Sequence, residues 1–326
     1  MDRQGPILVT GCAGFIGSTV CQVLLDEGYL VFGIDNMNHD YDIRLKQWRL
    51  GQLEKQAAFR FQVADISDKD SLWKIFQSKP RAVISLAARA GVRRSLEDPW
   101  SYVHTNIAGT LTLLEMCRQE GVKKLVVASS SSVYGAGASG PSREDADTAH
   151  PLSPYAASKK GAEVLCYAYH HLYQIDISVL RYFTVYGPAG RPDMSLFRFI
   201  RWVFEGDPVV VYGDGAQKRD FTYVDDAARG TVLALRDVGY QVINLGSNHP
   251  WQLRDVLGIV EKLVGKAALI QYKPASSADV LATWADISKA QRLLNWHPQI
   301  SLENGLGRAV EWYRQNRSWG RDLALD

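Results

Sequence analysis

A tyrosine and a lysine stand four positions apart in the stretch LSPYAASKKGAEVL, as Tyr155 and Lys159. Ser153 suits a helix N-cap and Pro154 suits the first helical position, so the stretch predicts a helix that carries both side chains on one face. A phenol has a pKa of about 10 and is a poor base at neutral pH. Because a nearby ammonium and a helix N-terminus both favour the phenolate, the pair predicts a tyrosine that removes a proton from an alcohol.

Four consecutive serines, Ser129 to Ser132, end a predicted strand in the stretch ASSSSVYG. They lie 25 residues before Tyr155 when counted from Ser130. Two interpretations are open for them, a polar turn or a set of hydroxyls aimed at a substrate. The second is favoured because parallel sheets bind their ligands at the carboxyl ends of the strands.

A glycine-rich turn stands at the start of the chain, in TGCAGFIGSTV, with Gly11, Gly14 and Gly17 between a predicted strand and a helix. Glycine lets the backbone turn tightly and approach a pyrophosphate, which the helix N-terminus attracts. Asp35 ends the second predicted strand, where a carboxylate suits a ribose 2′-hydroxyl and repels a 2′-phosphate. The pattern predicts NAD rather than NADP. Asp65, after the third strand, is expected either to reach the adenine or to cap the next turn.

A fold must bring these residues together, and the order of predicted strands and helices indicates which fold it is. Predicted strands cover 7–11, 30–36, 59–66, 82–88, 123–130 and 241–247. Predicted helices cover 18–28, 71–78, 106–121, 251–264, 286–294 and 302–316. Strands that alternate with helices predict an α/β fold, a Rossmann-type doubly wound parallel sheet with helices on both faces.

After about residue 181 the alternation loosens, and a smaller α+β substrate-binding domain is expected. The predicted NAD-binding domain comprises residues 1–181 and about 224–247. The predicted substrate domain comprises residues 182–223 and 248–326.

The composition is that of an ordinary globular protein, with 46% hydrophobic and 22% charged residues in 326. A net charge of +2 gives no reason to expect nucleic acid or an anionic membrane as a partner. The apolar runs are far shorter than a bilayer span, and the N-terminal stretch lacks the pattern of a secretory signal. We therefore expect a cytoplasmic protein that does not bind membranes.

The cysteines and histidines predict no metal site. Cys12, Cys21, Cys117 and Cys166 have no CxxC spacing, so they are expected to be small buried apolar residues. The seven histidines lack HExxH spacing, and the adjacent pair at 170 and 171 is expected on a helix face.

Over essentially its whole length the chain resembles the extended short-chain dehydrogenase/reductase superfamily, on the glycine loop, SSSSVYG and Tyr155-x-x-x-Lys159. The resemblance implies that Tyr155 is the catalytic base, that Ser130 works beside it and that Lys159 also holds the nicotinamide ribose. It implies NAD contacts at Gly11, Gly14, Phe15, Ile16, Gly17, Asp35, Asn36, Asp65, Ile66, Ala87, Lys159 and Tyr182. It also implies a homodimer in which the helices near 106–120 and 153–173 pair.

Two positions distinguish among members of the superfamily. Sugar-nucleotide dehydratases carry an Asp–Glu pair where this chain has Ser131 and Ser132, and the related decarboxylases carry Glu at the second position. Without those carboxylates, reversible oxidation at C4 remains, which is epimerisation. The stretches 35–50, 87–110 and 181–199 resemble UDP-glucuronate 4-epimerases in particular. UDP-hexose or UDP-N-acetylhexosamine 4-epimerase and UDP-glucuronate decarboxylase stay open as alternatives.

The same resemblance implies where a UDP-sugar would bind. Thr184, Arg191 and Arg93 are assigned to the uronate carboxylate, since arginine can hold a carboxylate with two hydrogen bonds. For Arg191 the alternative is a loop arginine tied to Asp193. The full set of expected substrate contacts is Arg93, Ser131, Ser132, Tyr155, Thr184, Arg191, Val211 beside the uracil, Arg219 on the diphosphate, and Asp279 on a ribose. The run Ser276-Ser277-Ala278 departs from the family pattern and lacks the long side chain that the pattern places near the diphosphate.

Overall fold

A computed structural model of the chain describes residues 5–136, 140–274 and 280–325. Strands and helices alternate through its first half, as predicted. In chain order they are β1 Ile7–Thr10, α1 Phe15–Asp26, β2 Val31–Asp35, α2 Ile43–Leu53, β3 Phe59–Val63, α3 Lys69–Phe76, β4 Ala82–Ser85, α4 Arg94–Glu97, α5 Pro99–Tyr102, a π-helix Val103–Ala108, α6 Gly109–Glu120, β5 Lys124–Ser130, a short 3₁₀ helix Ser131–Tyr134, α7 Pro154–Tyr173 and β6 Asp176–Tyr182.

The second half has shorter strands and fewer regular alternations. Its elements are β7 Thr184–Tyr186, α8 Ser195–Glu205, β8 Pro208–Tyr212, β9 Lys218–Tyr223, α9 Val224–Leu233, β10 Tyr240–Leu245, β11 Pro250–Gln252, α10 Leu253–Val264, β12 Leu269–Lys273, α11 Ser288–Leu294, α12 Leu302–Gln315 and α13 Arg317–Gly320.

Seven parallel strands form the large sheet, in the order β10-β6-β5-β4-β1-β2-β3. The chain winds outward from β1 in both directions, so the predicted doubly wound Rossmann sheet is confirmed. Ile7 pairs with Val31 on one side and with Ala82 on the other, which places β1 at the centre. The crossovers diverge between β1 and β4, the point where such sheets open a ligand crevice.

Both faces of this sheet are buried, because successive side chains of a strand point to opposite faces. Ile7 and Val9 of β1 belong to one hydrophobic core, while Leu8 belongs to the other. Helices α1, α9 and α11 cover the first face, and α3, α6 and α7 cover the second. The strands therefore read as continuous apolar runs rather than alternating ones.

A second, smaller lobe has its own core, built from α8, α10 and α12 around short strands. One small sheet has the order β11-β9-β7, and β12 pairs with β8 in another. The segment from Ala285 to Trp296, including α11, packs in a core of the large sheet and not in that of the smaller lobe. The predicted domain limits stay a prediction. They assign this segment to the substrate domain, whereas its side chains pack against the large sheet.

The four cysteines are free thiols and buried, as predicted. Burial raises the pKa of Cys117 to about 12, so this thiol stays protonated at neutral pH. Of the helices in the described ranges, none has the length and apolar character needed to cross a membrane.

Candidate active site

A cleft opens along the carboxyl ends of the large sheet's strands. It extends from the glycine loop at Gly11 to Arg191 and Met194. The predicted site residues that line it are Gly11, Gly14, Phe15, Ile16, Gly17, Asp35, Asn36, Asp65, Ile66, Ala87, Ser130, Ser131, Ser132, Tyr155, Lys159, Tyr182, Thr184 and Arg191.

The glycine loop between β1 and α1 has no space for side chains. Gly11 adopts a φ of +71°, and a Cβ there would lie 2.7 Å from the Ala87 nitrogen. A Cβ on Gly17 would lie 2.0 Å from the Gly11 oxygen, so the turn and the helix touch. Gly14 is the N-cap of α1, and no side-chain cap competes with an anion for the first-turn N–H groups. The loop therefore fits the diphosphate of a dinucleotide.

Asp35 is one half of a buried ion pair. Lys46 Nζ lies 3.1 Å from Asp35 Oδ1 and also donates to Asn38 Oδ1 at 2.8 Å. The backbone N–H of Met37 donates to the same Asp35 oxygen at 2.9 Å. The repulsion that Asp35 exerts on a 2′-phosphate is therefore partly offset by Lys46, a residue that sequence reasoning missed.

Asp65 caps the turn after β3, which is one of its two predicted roles. Its Oδ1 accepts from the Ser67 N–H and hydroxyl at 2.8 and 2.6 Å, and Asn36 Nδ2 donates to its Oδ2 at 2.7 Å. Partial burial disfavours the charged form, but these hydrogen bonds together keep the pKa of Asp65 below its usual range. Contact with an adenine stays a prediction.

The tyrosine and the lysine lie at the start of α7, one helical turn apart. Ser153 is the N-cap, and its hydroxyl accepts from the Ala156 N–H at 3.1 Å. Lys159 Nζ donates to the Ala128 carbonyl at 2.8 Å, which ties the ammonium to the end of β5. Burial lowers the pKa of Lys159 to about 8, although the negative charge of Glu163 opposes this.

The pKa of Tyr155 is set by a different balance from the one that the sequence predicts. Burial raises the pKa of Tyr155 above its ordinary value, and the hydrogen bond with Ser130 and the positive charge of Arg191 oppose the rise. In the protein without ligands, burial has the larger effect, and the pKa of Tyr155 is raised. The cation that opposes this rise is Arg191 and not Lys159. A further positive charge in the cleft would favour the phenolate.

The four serines span the end of β5, where alternate side chains point to opposite faces of the sheet, and the start of the 3₁₀ helix that follows. Ser129 turns toward α7 and donates to Glu163 Oε1 at 2.6 Å, and Glu163 is itself paired with Arg181 at 2.8 Å. Ser130 and Ser132 face the other way, with their hydroxyl oxygens 3.2 Å apart. All four serines line the cleft, but the hydroxyl of Ser129 is taken up by Glu163.

Arg191 lies on the loop after β7 and faces the cleft. Its Nη2 lies 2.6 Å from Asp193 Oδ2 and its Nε donates to Asp193 Oδ1 at 3.0 Å, a two-bond pairing. Burial disfavours the charged carboxylate, but the nearby Arg191 keeps the pKa of Asp193 below its usual range. The two interpretations of Arg191 are therefore compatible, since it is tied to Asp193 and also lines the cleft beside Thr184.

Two predicted substrate residues point elsewhere. Arg93 follows the lining residue Val92, and its guanidinium stacks over the Tyr212 ring at 4.1 Å from the centroid. Val211 is buried in the core of the smaller lobe, because the alternation of β8 turns its side chain inward. In this strand it is Val210 and Tyr212 that are partly exposed.

The expected diphosphate end of the substrate is only partly described. Arg219 donates from Nη1 to the neighbouring Lys218 carbonyl at 2.8 Å. Asp279 and the run Ser276–Ala278 lie outside the described residues. The roles predicted for Arg219 and Asp279 therefore stay predictions.

Several polar residues of the cleft were missed by sequence reasoning. They are Asn38, Asp40, Tyr41, Lys46 and Thr105. Most of them follow β2 within a stretch that was singled out only for its resemblance. Asp40 is held by Arg89, which binds its carboxylate, and by Arg94, which binds its carbonyl. The sequence signal for these residues was a dense run of polar side chains directly after β2. That they meet in the cleft depends on how α2 folds back over β2.

Comparison with known proteins agrees with this geometry. The sequence profile of the NAD dependent epimerase/dehydratase family matches residues 7–246. A protein of Thermodesulfobacterium geofontis described as UDP-glucuronate 4-epimerase is 57% identical over 315 residues, which cover 96% of this chain and 97% of that protein.

Solved structures are similar over nearly the full length as well. The UDP-glucuronic acid 4-epimerase of Bacillus cereus, in complex with UDP-glucuronic acid and NAD, is 42% identical with a TM-score of 0.90, covering 95% of this chain and 99% of that one. The UDP-glucose 4-epimerase of Thermotoga maritima, with UDP-glucose, is 33% identical with a TM-score of 0.88, covering 96% and 99%.

Proposed function

Because the chain belongs to the NAD-dependent epimerase/dehydratase family, we propose that it interconverts UDP-glucuronate and UDP-galacturonate by inverting C4. The proposal includes a 4-keto intermediate and an NAD that stays bound through the cycle. The relative with 57% identity carries the name of this activity, and the neighbour from Bacillus cereus holds the same substrate and cofactor.

The observation that carries the proposal is the set of groups around Tyr155. Ser131 and Ser132 stand in the cleft where dehydratases and decarboxylases have carboxylates, and Arg191 is available for an acid group on the sugar. A base with neutral hydroxyl neighbours suits removal and return of one proton. The hydroxyls of Ser131 and Ser132 cannot act as the acid that eliminates water, and they cannot act as the carboxylate that assists loss of CO₂.

The residues present fit NAD. A Cβ at Gly11 or Gly17 would overlap the backbone of Ala87 or of Gly11, so the loop packs tightly and leaves the start of α1 open to a diphosphate. Asp35 lines the same cleft and could accept a hydrogen bond from a ribose hydroxyl. We propose that Lys159 donates to the nicotinamide ribose. When bound, NAD supplies the acceptor for the C4 hydride and the donor that returns it.

In the proposed mechanism Tyr155, as phenolate, takes the proton from O4 of the sugar. Ser130 donates a hydrogen bond to the phenolic oxygen, which stabilises the negative charge before transfer. Lys159, held on the Ala128 carbonyl, adds positive charge behind the pair when it is protonated. The 4-keto sugar then turns in the cleft, so that the returning hydride would reach the opposite face of C4 and invert it, while Tyr155 returns the proton to O4.

The intermediate of a uronic acid is a β-keto acid, which loses CO₂ when the breaking C–C bond stands perpendicular to the carbonyl plane. Donors that hold the carboxylate near that plane protect it. We propose that Thr184, Ser131, Ser132 and Arg191 do so. A substrate carboxylate would share the guanidinium of Arg191 with Asp193, which already occupies two of its donors.

We further propose a homodimer formed through α6 and α7. Large apolar side chains are exposed on these helices, with Leu111 39% exposed, Val164 58%, Tyr167 57% and Leu172 63%. Such a surface is unusual on a monomer and suits burial against a second copy. Light scattering of Val164→Glu tests this, since a monomer is expected and an unchanged dimer would contradict it.

The assignment of NAD and the UDP-sugar to two different domains remains part of the proposal. Residues 1–181 with about 224–247 would bind NAD, and residues 182–223 with 248–326 would bind the UDP-sugar. We also propose that the protein works in the cytoplasm, because buried free thiols such as those of this chain are typical of reducing compartments.

The test is to incubate the purified protein with UDP-glucuronate, without added cofactor, and to follow the products by proton NMR. UDP-galacturonate without CO₂ release or net NADH is expected. A UDP-pentose would replace the proposal by decarboxylation. Turnover of UDP-glucose or a UDP-N-acetylhexosamine in place of UDP-glucuronate would remove the roles given to Thr184 and Arg191.

A further inference from the structure

Arg49 of α2 joins two loops that lie on different sides of the cleft. Its Nε and Nη2 both donate to the Ala189 carbonyl, at 3.2 and 2.6 Å. Its Nη1 donates to the Ala13 carbonyl at 3.2 Å and to the Tyr41 hydroxyl at 2.7 Å. One buried side chain thus connects the glycine loop with the loop that carries Arg191.

The three atoms that accept these hydrogen bonds are uncharged, two carbonyl oxygens and one phenol oxygen. The rings of Tyr41 and Phe15 flank the guanidinium, with centroids 5.4 and 5.8 Å away. Lys46, three residues earlier on the same helix, instead has a carboxylate partner in Asp35. A buried cation is unfavourable unless hydrogen bonds or an anion compensate. A diphosphate on the glycine loop would bring negative charge to the loop that Arg49 already holds.

The loop at the other end of this contact adopts an unfavourable conformation. Ala189 has a φ of +51°, in the left-handed region that residues with a Cβ avoid. Two hydrogen bonds from Arg49 to its carbonyl support this turn. Arg191 follows two residues later and lines the cleft, so the turn that Arg49 holds lies directly before it in the chain.

We propose that Arg49 is a positioning residue that couples the dinucleotide site to the site for the substrate carboxylate. It holds the glycine loop and the Arg191 loop in one fixed relation, so that an ordered cofactor site also orders the carboxylate site. Arginine is needed because its planar fork reaches three acceptors at once, which a lysine ammonium does not. The substrate half of this inference rests on the proposed function, whereas the cofactor half does not.

The experiment compares Arg49→Lys with Arg44→Lys, a matched change on the same helix whose side chain is 42% exposed and pairs with Asp42. Both changes are made in a Tyr155→Phe background, so that turnover does not disturb the titrations. Calorimetry measures binding of UDP-glucuronate and of UDP, and NAD released on denaturation is quantified. We expect Arg49→Lys to weaken UDP-glucuronate binding by about tenfold, to change UDP binding by less than about twofold and to lower the NAD content. Arg44→Lys should change none of these.

Equal weakening of UDP and UDP-glucuronate would indicate a general structural role and overturn the inference, as would unchanged binding of both with full NAD content. If Arg49→Lys shows no cooperative thermal transition, Tyr41→Phe replaces it, since it removes one acceptor and keeps the ring. The same selective pattern, at a smaller size, is then expected. If the unaltered Tyr155→Phe protein binds UDP-glucuronate no better than UDP, the proposed function fails instead, and NAD content alone decides the inference.

Discussion

The two sides of the cleft are built on different principles. The side proposed for NAD is shaped by backbone, since Gly11 and Gly17 leave no room for a Cβ and the first turn of α1 presents N–H groups. The side proposed for the sugar is shaped by side chains on loops, with Arg191 held by Asp193. Substitutions at the glycines of the first side are therefore expected to be poorly tolerated, and its cofactor preference depends on a few side chains such as the Asp35–Lys46 pair. The second can change its substrate through a few polar residues.

The strongest test of this comparison is the residue where the two sides meet. Tyr155→Phe removes the proposed base and should reduce turnover of UDP-glucuronate by at least about 10³-fold. NAD content should not change, because the glycine loop is untouched. Turnover is followed by NMR, and released NAD by chromatography.

Tyr102→Phe is the matched control, since its ring lies 6.0 Å from that of Tyr155 and its hydroxyl donates to the Ala90 and Gly91 carbonyls. Loss of those hydrogen bonds should cost less than about tenfold in rate. Comparable losses in the two variants would mean that Tyr155 is not the base.

The side proposed for NAD can be altered at the Asp35–Lys46 ion pair. Asp35→Ser removes the carboxylate partner of buried Lys46, whose ammonium can then donate to a 2′-phosphate. The ratio of NADP to NAD affinity should rise by about 10- to 100-fold, because like-charge repulsion is replaced by attraction. Titration of apo protein with each dinucleotide measures the ratio. Adding Lys46→Met should abolish the gain, and a gain that persists would show that Lys46 does not cause it.

The sugar side should influence the base through charge. The positive charge of Arg191 lowers the pKa of Tyr155, so its removal raises that pKa and makes the phenolate harder to form. The acidic limb of the pH–rate profile should therefore move to higher pH in the double variant Arg191→Gln/Asp193→Asn. The second change prevents an unpaired carboxylate from causing the shift. Arg317→Gln, on the exposed pair with Glu205, is the control and should leave the profile in place.

The smallest effect on activity is expected at Ser129, whose hydroxyl donates to Glu163 of α7. Ser129→Ala should leave turnover within about twofold but lower the free energy of unfolding by about 1–3 kcal/mol, because buried Glu163 loses a donor. Ser132→Ala should do the reverse, with a larger UDP-pentose by-product and little loss of stability. Chemical denaturation and product analysis separate the two, and equal behaviour would contradict the division of the serines.

The sequence was most informative where local geometry decides the structure. The turn from β1 to α1 could be predicted because Gly11 has a positive φ that glycine adopts freely, and β1 because it is buried on both faces. Helix α2 was missed because Lys46 and Arg49 lie on its buried side and interrupt the apolar stripe by which a helix is recognised.

Within the site, the contacts that were not foreseen depend on how separate elements fold against one another. The pairing of Asp35 with Lys46 depends on α2 folding back over β2, and the pKa of Tyr155 depends on Arg191 from the smaller lobe. The inward turn of Val211 followed from strand alternation, but the register of β8 was not evident in the sequence.

The two lobes are interleaved along the chain, and this limits how such proteins diversify. After Phe183 the chain leaves the core of the large sheet, and it re-enters at Ala227, leaves after Leu245 and returns at Ala285. No single recombination point therefore separates the large sheet from the smaller lobe. A chimera that exchanged only the C-terminal part with a relative would also replace β10 and α11 of the large sheet. New specificity in this fold is therefore expected to arise by point substitution and loop exchange, not by transplanting a contiguous module.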